Sequence, residues 1–133
     1  HGQIEAKGRE AKEMKIIIPG TLPSLNEYVR ACRGSAHTGN RMSRDAHYLC
    51  KLGMLKYHGQ HIGRARMTFI WVEKNRRRDK DNVAFGKKFI LDSLQEMEIL
   101  SNDGWKEIVS FEDRFEVDKK NPHVEVIVEE VKE

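Results

Sequence analysis

Two aspartates one residue apart, Asp79 and Asp81, follow a run of three arginines in the middle of this 133-residue chain. If the segment is extended, residues i and i+2 point to the same side, so the two carboxylates would face together with Lys80 turned away. Carboxylates that close repel each other, and a divalent cation removes the repulsion. Mg²⁺ fits this role, because it binds one or two carboxylates, keeps several waters and completes its coordination with phosphate. The alternative is that Asp81 caps the next helix and Asp79 pairs with an arginine.

A helix predicted over residues 82–97 would carry further groups past these aspartates. Its core-facing side chains are predicted to be Phe89, Ile90, Leu94 and Met97. At 100° per residue, Asp81, Lys88 and Asp92 would fall within about 40° of one another around the helix axis. Lys88 could then reach a phosphate held by the metal, and Asp92 could hold its ammonium group. The alternative for Lys88 and Asp92 is a surface pair at i,i+4 spacing.

Asp103, in the polar loop after this helix, is the third candidate carboxylate. The helix would be roughly 24 Å long and carries the chain away from Asp79. The six residues that follow can return at most about 20 Å. Asp103 therefore reaches the site of its own chain only if the helix is shorter or bent, for which Gly86 is a candidate. Otherwise it would serve the site of a partner subunit.

Charge is distributed unevenly along the chain, although the net charge is only +3. Residues 30–80 carry thirteen Lys and Arg against three Asp and Glu, whereas residues 89–133 carry five against thirteen. A basic middle third is typical of a surface that binds a polyanion such as nucleic acid. Two solvated faces of opposite sign would give the same pattern.

The pattern of apolar residues predicts one α+β domain with a mixed sheet packed by helices. Strands are predicted over 14–18, 65–73, 107–117 and 123–131, and a helix over 44–57 with Ser43 as its N-cap, after a loop at 34–40. The run at 65–73 is apolar on both faces, which predicts a central strand. Residues 1–13 are predicted to be a disordered tail or an added extension, and 14–133 the functional domain.

Other functional classes find no support in the sequence. No stretch approaches the roughly 18 apolar residues of a membrane span, and no secretory signal is visible. Cys32 and Cys50 form no zinc pattern, so reduced thiols and a cytoplasmic location are expected. No glycine-rich phosphate loop and no pairing of a nucleophile with a histidine offers a competing chemistry.

The chain contains, in this order, Arg-Arg-Arg-Asp-x-Asp-Asn, Lys-x3-Asp-x-Leu and a loop with Asn-Asp. This series of motifs resembles the RusA family of Holliday-junction resolvases, which is common in bacteria and prophages. The similarity is firmest over residues 76–108 and extends weakly to the segment around Asn26. It implies a RusA-like fold and a homodimeric, Mg²⁺-dependent endonuclease, a hydrolase that nicks a four-way DNA junction in recombination and repair. It also implies that Asp79, Asp81 and Asp103 are catalytic and bind the metal, and that Lys88 is the catalytic lysine.

Several assignments depend on this resemblance and on the charge pattern. The arginines expected to hold DNA phosphates without reading sequence are Arg76, Arg77, Arg78, Arg30, Arg33, Arg41 and Arg44. Asn26, Asp92 and Asn102 are expected to support the site.

The chain departs from the family's pattern in two places. The spacing from Asp81 to Asp92 is about three residues longer, so Lys87 competes with Lys88 for the lysine role. Asn102 stands where many members have aspartate, which lowers the negative charge of the site. Two alternatives therefore stay open: a non-catalytic protein that binds branched DNA, and an unrelated small basic phage protein whose aspartates only cap and pair.

Overall fold

The computed structural model describes residues 10–132, and its strands lie close to the predicted positions. They are β1 (Glu13–Pro19), β2 (Ala65–Glu73), β3 (Ile108–Val117) and β4 (His123–Glu130). The helices are α1 (Leu25–Gly34), α2 (Ala36–Met54), α3 (Lys80–Ala84) and α4 (Lys87–Glu96), with a 3-10 helix at Leu55–Tyr57.

The strands form one mixed sheet in the order β1-β4-β2-β3. β4 is antiparallel to β1 and to β2, whereas β2 and β3 are parallel. The chain joins the parallel pair through α3 and α4, as a crossover between parallel strands requires. The predicted α+β class, the mixed sheet and the central place of β2 are confirmed.

The core lies on one face of the sheet, where alternate residues of the strands meet the helices. Met14, Ile16 and Ile18 of β1 are buried, and β1 pairs with β4 so that they face Val128, Val126 and Val124. The α4 residues predicted to face the core are also buried. Fully burying such a side chain contributes roughly 1.5–3 kcal/mol.

Helix α2 is longer than predicted. It begins at Ala36 with Ser35 as N-cap, and the Ser35 hydroxyl accepts a hydrogen bond from the N–H of Thr38 at 3.0 Å. The predicted loop at 34–40 and the Ser43 cap are therefore wrong. Gly39 lies inside the helix because it packs against Cys32 of α1, where an added Cβ would come within 2.7 Å of the thiol sulfur.

The predicted single helix at 82–97 is divided at Gly86. The N–H groups of Gly86, Lys88 and Phe89 each donate to the carbonyl three residues earlier, so the turn between α3 and α4 is of the 3-10 type. A Cβ at Gly86 would lie 3.1 Å from Leu22 and from the Trp71 ring, so glycine allows this close approach.

The predicted tail at 1–13 lies mostly outside the described residues. Where it is described, its end is ordered: Glu13 begins β1, and Lys12 accepts a hydrogen bond from the N–H of Glu130 at 2.8 Å. Among residues 10–132, no helix combines the length and the apolar character that crossing a membrane requires.

Candidate functional site

A cleft opens beyond the C-terminal ends of the parallel strands β2 and β3. Its volume is about 670 Å³. Its lining includes Asn75, Arg76, Asp79, Lys80, Phe115 and Val117. Because β2 and β3 are parallel, the loop after β2 and the last residues of β3 meet at the same end of the sheet. The segment predicted from sequence to be functional thus forms one wall of a cleft, while β3 forms the other.

Asp79 and Asp81 occupy different positions in the helix start, not one extended segment. Asp79 is the N-cap residue of α3, without a side-chain capping bond, and Asp81 lies in the first turn. Asp79 has extended backbone (φ −66°, ψ 151°) whereas Asp81 lies within the helix, so the two residues do not form the single extended segment that was predicted. Asp79 lines the cleft, and Asp81 does not.

Both aspartates are exposed. Among residues 10–132, neither carboxylate has an ion pair or a side-chain hydrogen bond. The alternative in which Asp81 is the N-cap and Asp79 pairs with an arginine is therefore not what the structure contains. Both groups are available to a ligand.

Arg78, predicted to bind DNA, is a partly exposed residue of the cleft lining whose guanidinium is paired within the protein. Its guanidinium makes a two-point contact with Glu73, at 2.9 and 3.0 Å, and donates to Glu27 at 2.8 Å and to the Leu22 carbonyl at 3.0 Å. Four of its five N–H groups are therefore used. We call Arg78, Glu73, Glu27 and the Leu22 carbonyl the Arg78 network. It ties the end of β2 to the start of α1.

The other predicted DNA-binding arginines are exposed. Arg76 lines the cleft, and the next residue, Arg77, is exposed and makes one hydrogen bond within residues 10–132, from its backbone N–H to the Asn75 side-chain oxygen at 3.0 Å. The remaining four lie on α1 and α2: Arg30, Arg33, Arg41 and Arg44. Lys80, expected to turn away, places its ammonium 5.5 Å from the centre of the Phe115 ring, across the cleft.

The two candidate lysines lie in different surroundings. Lys87 binds Asp113 of β3 at 2.7 Å and lies 3.9 Å from the centre of the Phe111 ring. Lys88 is exposed and pairs with Asp92 at 3.8 Å, as predicted, and Asp92 also contacts His47 at 3.4 Å. The 3-10 turn at Gly86 separates Asp81 in α3 from Lys88 in α4, and neither residue lines the cleft.

Asp103 lies at the opposite end of the sheet from Asp79. Its loop leads into Glu107, whose carbonyl accepts from the N–H of Ala65, the first residue of β2. Asp79 follows the last residue of β2, and that nine-residue strand is about 26 Å long. The bend at Gly86 does not bring Asp103 to the cleft of its own chain. Asn102 uses its amide oxygen to accept from the N–H of Asp103 at 2.9 Å.

Sequence reasoning missed Asn82 as a positioning residue, although Asn82 belongs to the motif. Its side-chain oxygen accepts from the backbone N–H of Asn26 at 3.0 Å and so joins α3 to α1. The part of Asn26 in this contact is its backbone N–H, and the supporting role expected of Asn26 stays a prediction. Phe115 and Val117 were missed too, because no sequence signal pairs β3 with β2.

Within residues 10–132, no group of three or more His, Cys, Asp or Glu side chains is arranged to hold a metal ion. The cleft lining has three basic residues (Arg76, Arg78 and Lys80) and three acidic ones (Glu73, Asp79 and Glu116). The exposed carboxylates of Asp79 and Asp81 nevertheless suit Mg²⁺, which needs only one or two carboxylates when phosphate and water complete its coordination. Comparison of the chain with protein-family models and with curated proteins finds no match.

Proposed function

We propose that this chain is a RusA-like, Mg²⁺-dependent endonuclease that acts as a homodimer on four-way DNA junctions. One observation carries the proposal: Asp79, without a partner among residues 10–132, lines a cleft of about 670 Å³ together with Arg76 and Lys80. A structural aspartate near two cations would be expected to pair with one of them. An aspartate left free between cations is suited to a ligand that is itself anionic and carries a metal.

The residues that would hold Mg²⁺ are Asp79 and Asp81, with Asp103 supplied by the partner subunit. When bound, Mg²⁺ stabilises charge on phosphoryl oxygens and provides a nucleophilic hydroxide near neutral pH. Arg76 and Lys80 line the same cleft as Asp79, and Arg78, which also lines it, is paired with Glu73 and Glu27, so we assign phosphate binding to Arg76 and Lys80. Lys88 would act from α4, where Asp92 holds it.

The exposed arginines extend the basic surface away from the cleft. Arg77 adjoins it, and Arg30, Arg33, Arg41 and Arg44 lie on α1 and α2. Contacts from these groups to DNA phosphates give affinity without sequence readout. A two-fold dimer would present two such surfaces and two clefts, which matches the near two-fold symmetry of a junction.

The test is cleavage of a synthetic four-way junction with Mg²⁺ by the wild type and by Asp79→Asn and Asp81→Asn. We expect paired nicks from the wild type and a loss of about a hundredfold or more in either variant, because metal charge stabilisation contributes several kcal/mol. Binding of the junction should be retained, since each change removes a negative charge. Asp45→Asn on α2 is the matched control, because it removes the same charge outside the cleft.

A second candidate function is non-catalytic binding of branched DNA. It is favoured by the absence of a three-carboxylate cluster in residues 10–132 and by the internal use of the Asn102 oxygen. Tight binding without cutting by the wild type would select it. Equal cutting by the wild type and both aspartate variants would contradict the assigned ligands.

A further inference from the structure

The two lysines at the start of α4 are held with very different strength. The ammonium of Lys87 lies 2.7 Å from Asp113, and the Lys87 side chain is only 15% exposed. Asp113 also accepts from the Trp71 indole N–H at 2.9 Å, so Lys87 is fixed to β3 by a carboxylate that is itself held. Lys88 is 55% exposed, and its pair with Asp92 is long, at 3.8 Å. Lys88 is therefore the lysine that can leave its pair to meet a ligand.

The carboxylate of Asp92 has a second partner on another helix. The oxygen that faces Lys88, Oδ2, also lies 3.4 Å from Nε2 of His47 on α2. Because an ionised carboxylate only accepts, a neutral imidazole in this contact carries its proton on Nε2. Nδ1 is then an acceptor, and the Ser43 hydroxyl lies 3.4 Å from it. These contacts form a continuous chain from Ser43 through His47 and Asp92 to Lys88.

Packing also fixes the His47 ring in place. The ring lies edge-on to the Phe89 ring, with the two centres 5.6 Å apart, and Phe89 is fully buried. The side chain of His47 is 19% exposed, so it is better enclosed than the two groups that follow it in the chain of contacts. An exposed pair at i,i+4 spacing, such as Lys88 with Asp92, is weak by itself. The direction of the Asp92 carboxylate therefore depends on its contact with His47.

A second contact joins the same two helices one turn further along. Lys51 of α2 pairs with Glu96 of α4, and these residues lie four positions after His47 and Asp92 respectively. That pair joins the helices through two full charges. At the level of His47 the partner of the carboxylate is an imidazole, which in its neutral form orients a carboxylate without cancelling its charge. The negative charge of Asp92 thus stays available to Lys88.

From this chain of contacts we infer that His47 is a positioning residue, which holds Asp92 so that Asp92 aims the ammonium of Lys88 at the phosphate being cut. The inference rests on the proposed function, because it takes Lys88 as the lysine that meets the substrate. Lys88 lies outside the lining of the cleft, so the direction of its long side chain decides whether its ammonium meets a phosphate bound there. A site of this kind needs supporting residues whose own positions are fixed by packing, as that of His47 is.

Variants of His47 test the positioning role through the kinetics of junction cleavage. His47→Phe keeps a ring against Phe89 and removes both nitrogens. It should lower kcat about tenfold and leave KM unchanged, because a misdirected lysine weakens contact with the transition state and not the binding of DNA. His47→Gln should restore most of kcat, since its amide N–H can donate to Asp92. Lys51→Met is the control, because it breaks the neighbouring pair between the same helices, and it should keep the wild-type kcat.

A double variant shows whether His47 acts through Lys88. Lys88→Met should itself lower kcat. Adding His47→Phe to Lys88→Met should then change kcat by less than about twofold, because the group that His47 positions is gone. A purely structural role would lower kcat by the same factor with and without Lys88. That result, or a wild-type kcat in His47→Phe, would overturn the inference.

The contact between His47 and Asp92 can be measured without any cutting. Long-range proton–nitrogen NMR in mildly alkaline solution shows which ring nitrogen of His47 carries the proton. We expect a ring protonated at Nε2, with an Nε2 proton that is observable in the wild type and lost through exchange with water in Asp92→Ala. A ring protonated at Nδ1, or a proton signal that survives Asp92→Ala, would overturn the inference.

The two kinds of measurement separate failure of the inference from failure of the proposed function. An Nε2 proton that depends on Asp92, in a wild type that cuts no junction, rejects the endonuclease and leaves only the structural contact. Cutting by the wild type with an unchanged kcat in His47→Phe rejects the positioning role and leaves the endonuclease.

Discussion

Arg78 and Asp79 are adjacent in the chain, but their side chains lie in opposite surroundings. Arg78 is 25% exposed and uses four N–H groups within the Arg78 network. Asp79 is exposed and has no side-chain partner among residues 10–132. The charged run at residues 76–81 therefore contains two kinds of residue. Arg78 stabilises the fold through its ion pairs, whereas Arg76, Arg77, Asp79 and Asp81 are exposed, and we call these four the open residues.

The difference follows from where β2 ends. Glu73, the last residue of β2, holds Arg78 from the side of the sheet, and Glu27 holds it from the first turn of α1. The loop between Glu73 and Arg78 leaves Arg76 and Arg77 outside this contact. Charge density in a sequence thus does not distinguish a cation that fixes the fold from one that meets a ligand. The position of the counter-charges does.

The largest effect is expected from separate substitutions of the paired Arg78 and the exposed Arg77. Arg78→Met should lower the free energy of unfolding by about 2–4 kcal/mol, because it leaves the half-buried Glu73 carboxylate without its counter-charge. Arg77→Met should change it by less than about 0.5 kcal/mol, because Arg77 is exposed. Urea unfolding followed by circular dichroism measures both. Equal stability of the two variants would remove the distinction.

The strands could be predicted because each is a short run rich in apolar residues, alternating with charged residues in β4 and apolar on both faces in β2. The predicted strands at 14–18, 65–73 and 123–131 correspond to β1, β2 and β4, and β2 is an inner strand as its two apolar faces indicated. Such patterns can be recognised without knowing which elements pack together, because any strand that covers a core places apolar residues on its buried face. The α+β class followed from them.

Features that depend on tertiary contacts could not be predicted. The start of α2 depends on Gly39 meeting Cys32, and the turn at Gly86 depends on its contact with Leu22 and Trp71. Local glycine, serine and threonine content indicated a loop in the first case.

The site was predicted only in part, because its cleft also depends on tertiary contacts. The motif placed Asp79 at a strand end, but the parallel pairing of β2 with β3, which makes the cleft, has no local signal. The position of Asp103 depends on the path of the whole crossover.

The salt dependence of DNA binding tests whether the open residues contact DNA. Arg77→Ala should weaken binding to a four-way junction several-fold and reduce the slope of log affinity against log salt by about 1, the value for one phosphate contact. Lys56→Ala is the control, because Lys56 lies on the 3-10 helix against the Tyr57 ring. A slope unchanged by Arg77→Ala, or reduced equally by Lys56→Ala, would place the DNA elsewhere.

The smallest expected effect belongs to Glu27, where the Arg78 network meets the start of α1. Its pKa lies below the ordinary glutamate value, chiefly because the carboxylate accepts from the N–H of Ser24, with further contributions from the Ser24 hydroxyl and Arg78. A carboxyl whose pKa is lowered on folding stabilises the protein above the unfolded pKa of about 4.3 and loses that contribution as the pH falls.

Glu27→Gln keeps the shape and removes the titration. At pH 6 the wild type should be more stable by less than about 1 kcal/mol, because Glu27 is partly exposed and solvent screens its charge. At pH 3 the two proteins should unfold at nearly the same urea concentration. Glu125, whose pKa is also lowered, is present in both proteins and cancels from the difference. A gap between the two proteins that persists at pH 3 would mean that Glu27 acts through packing and not through its charge.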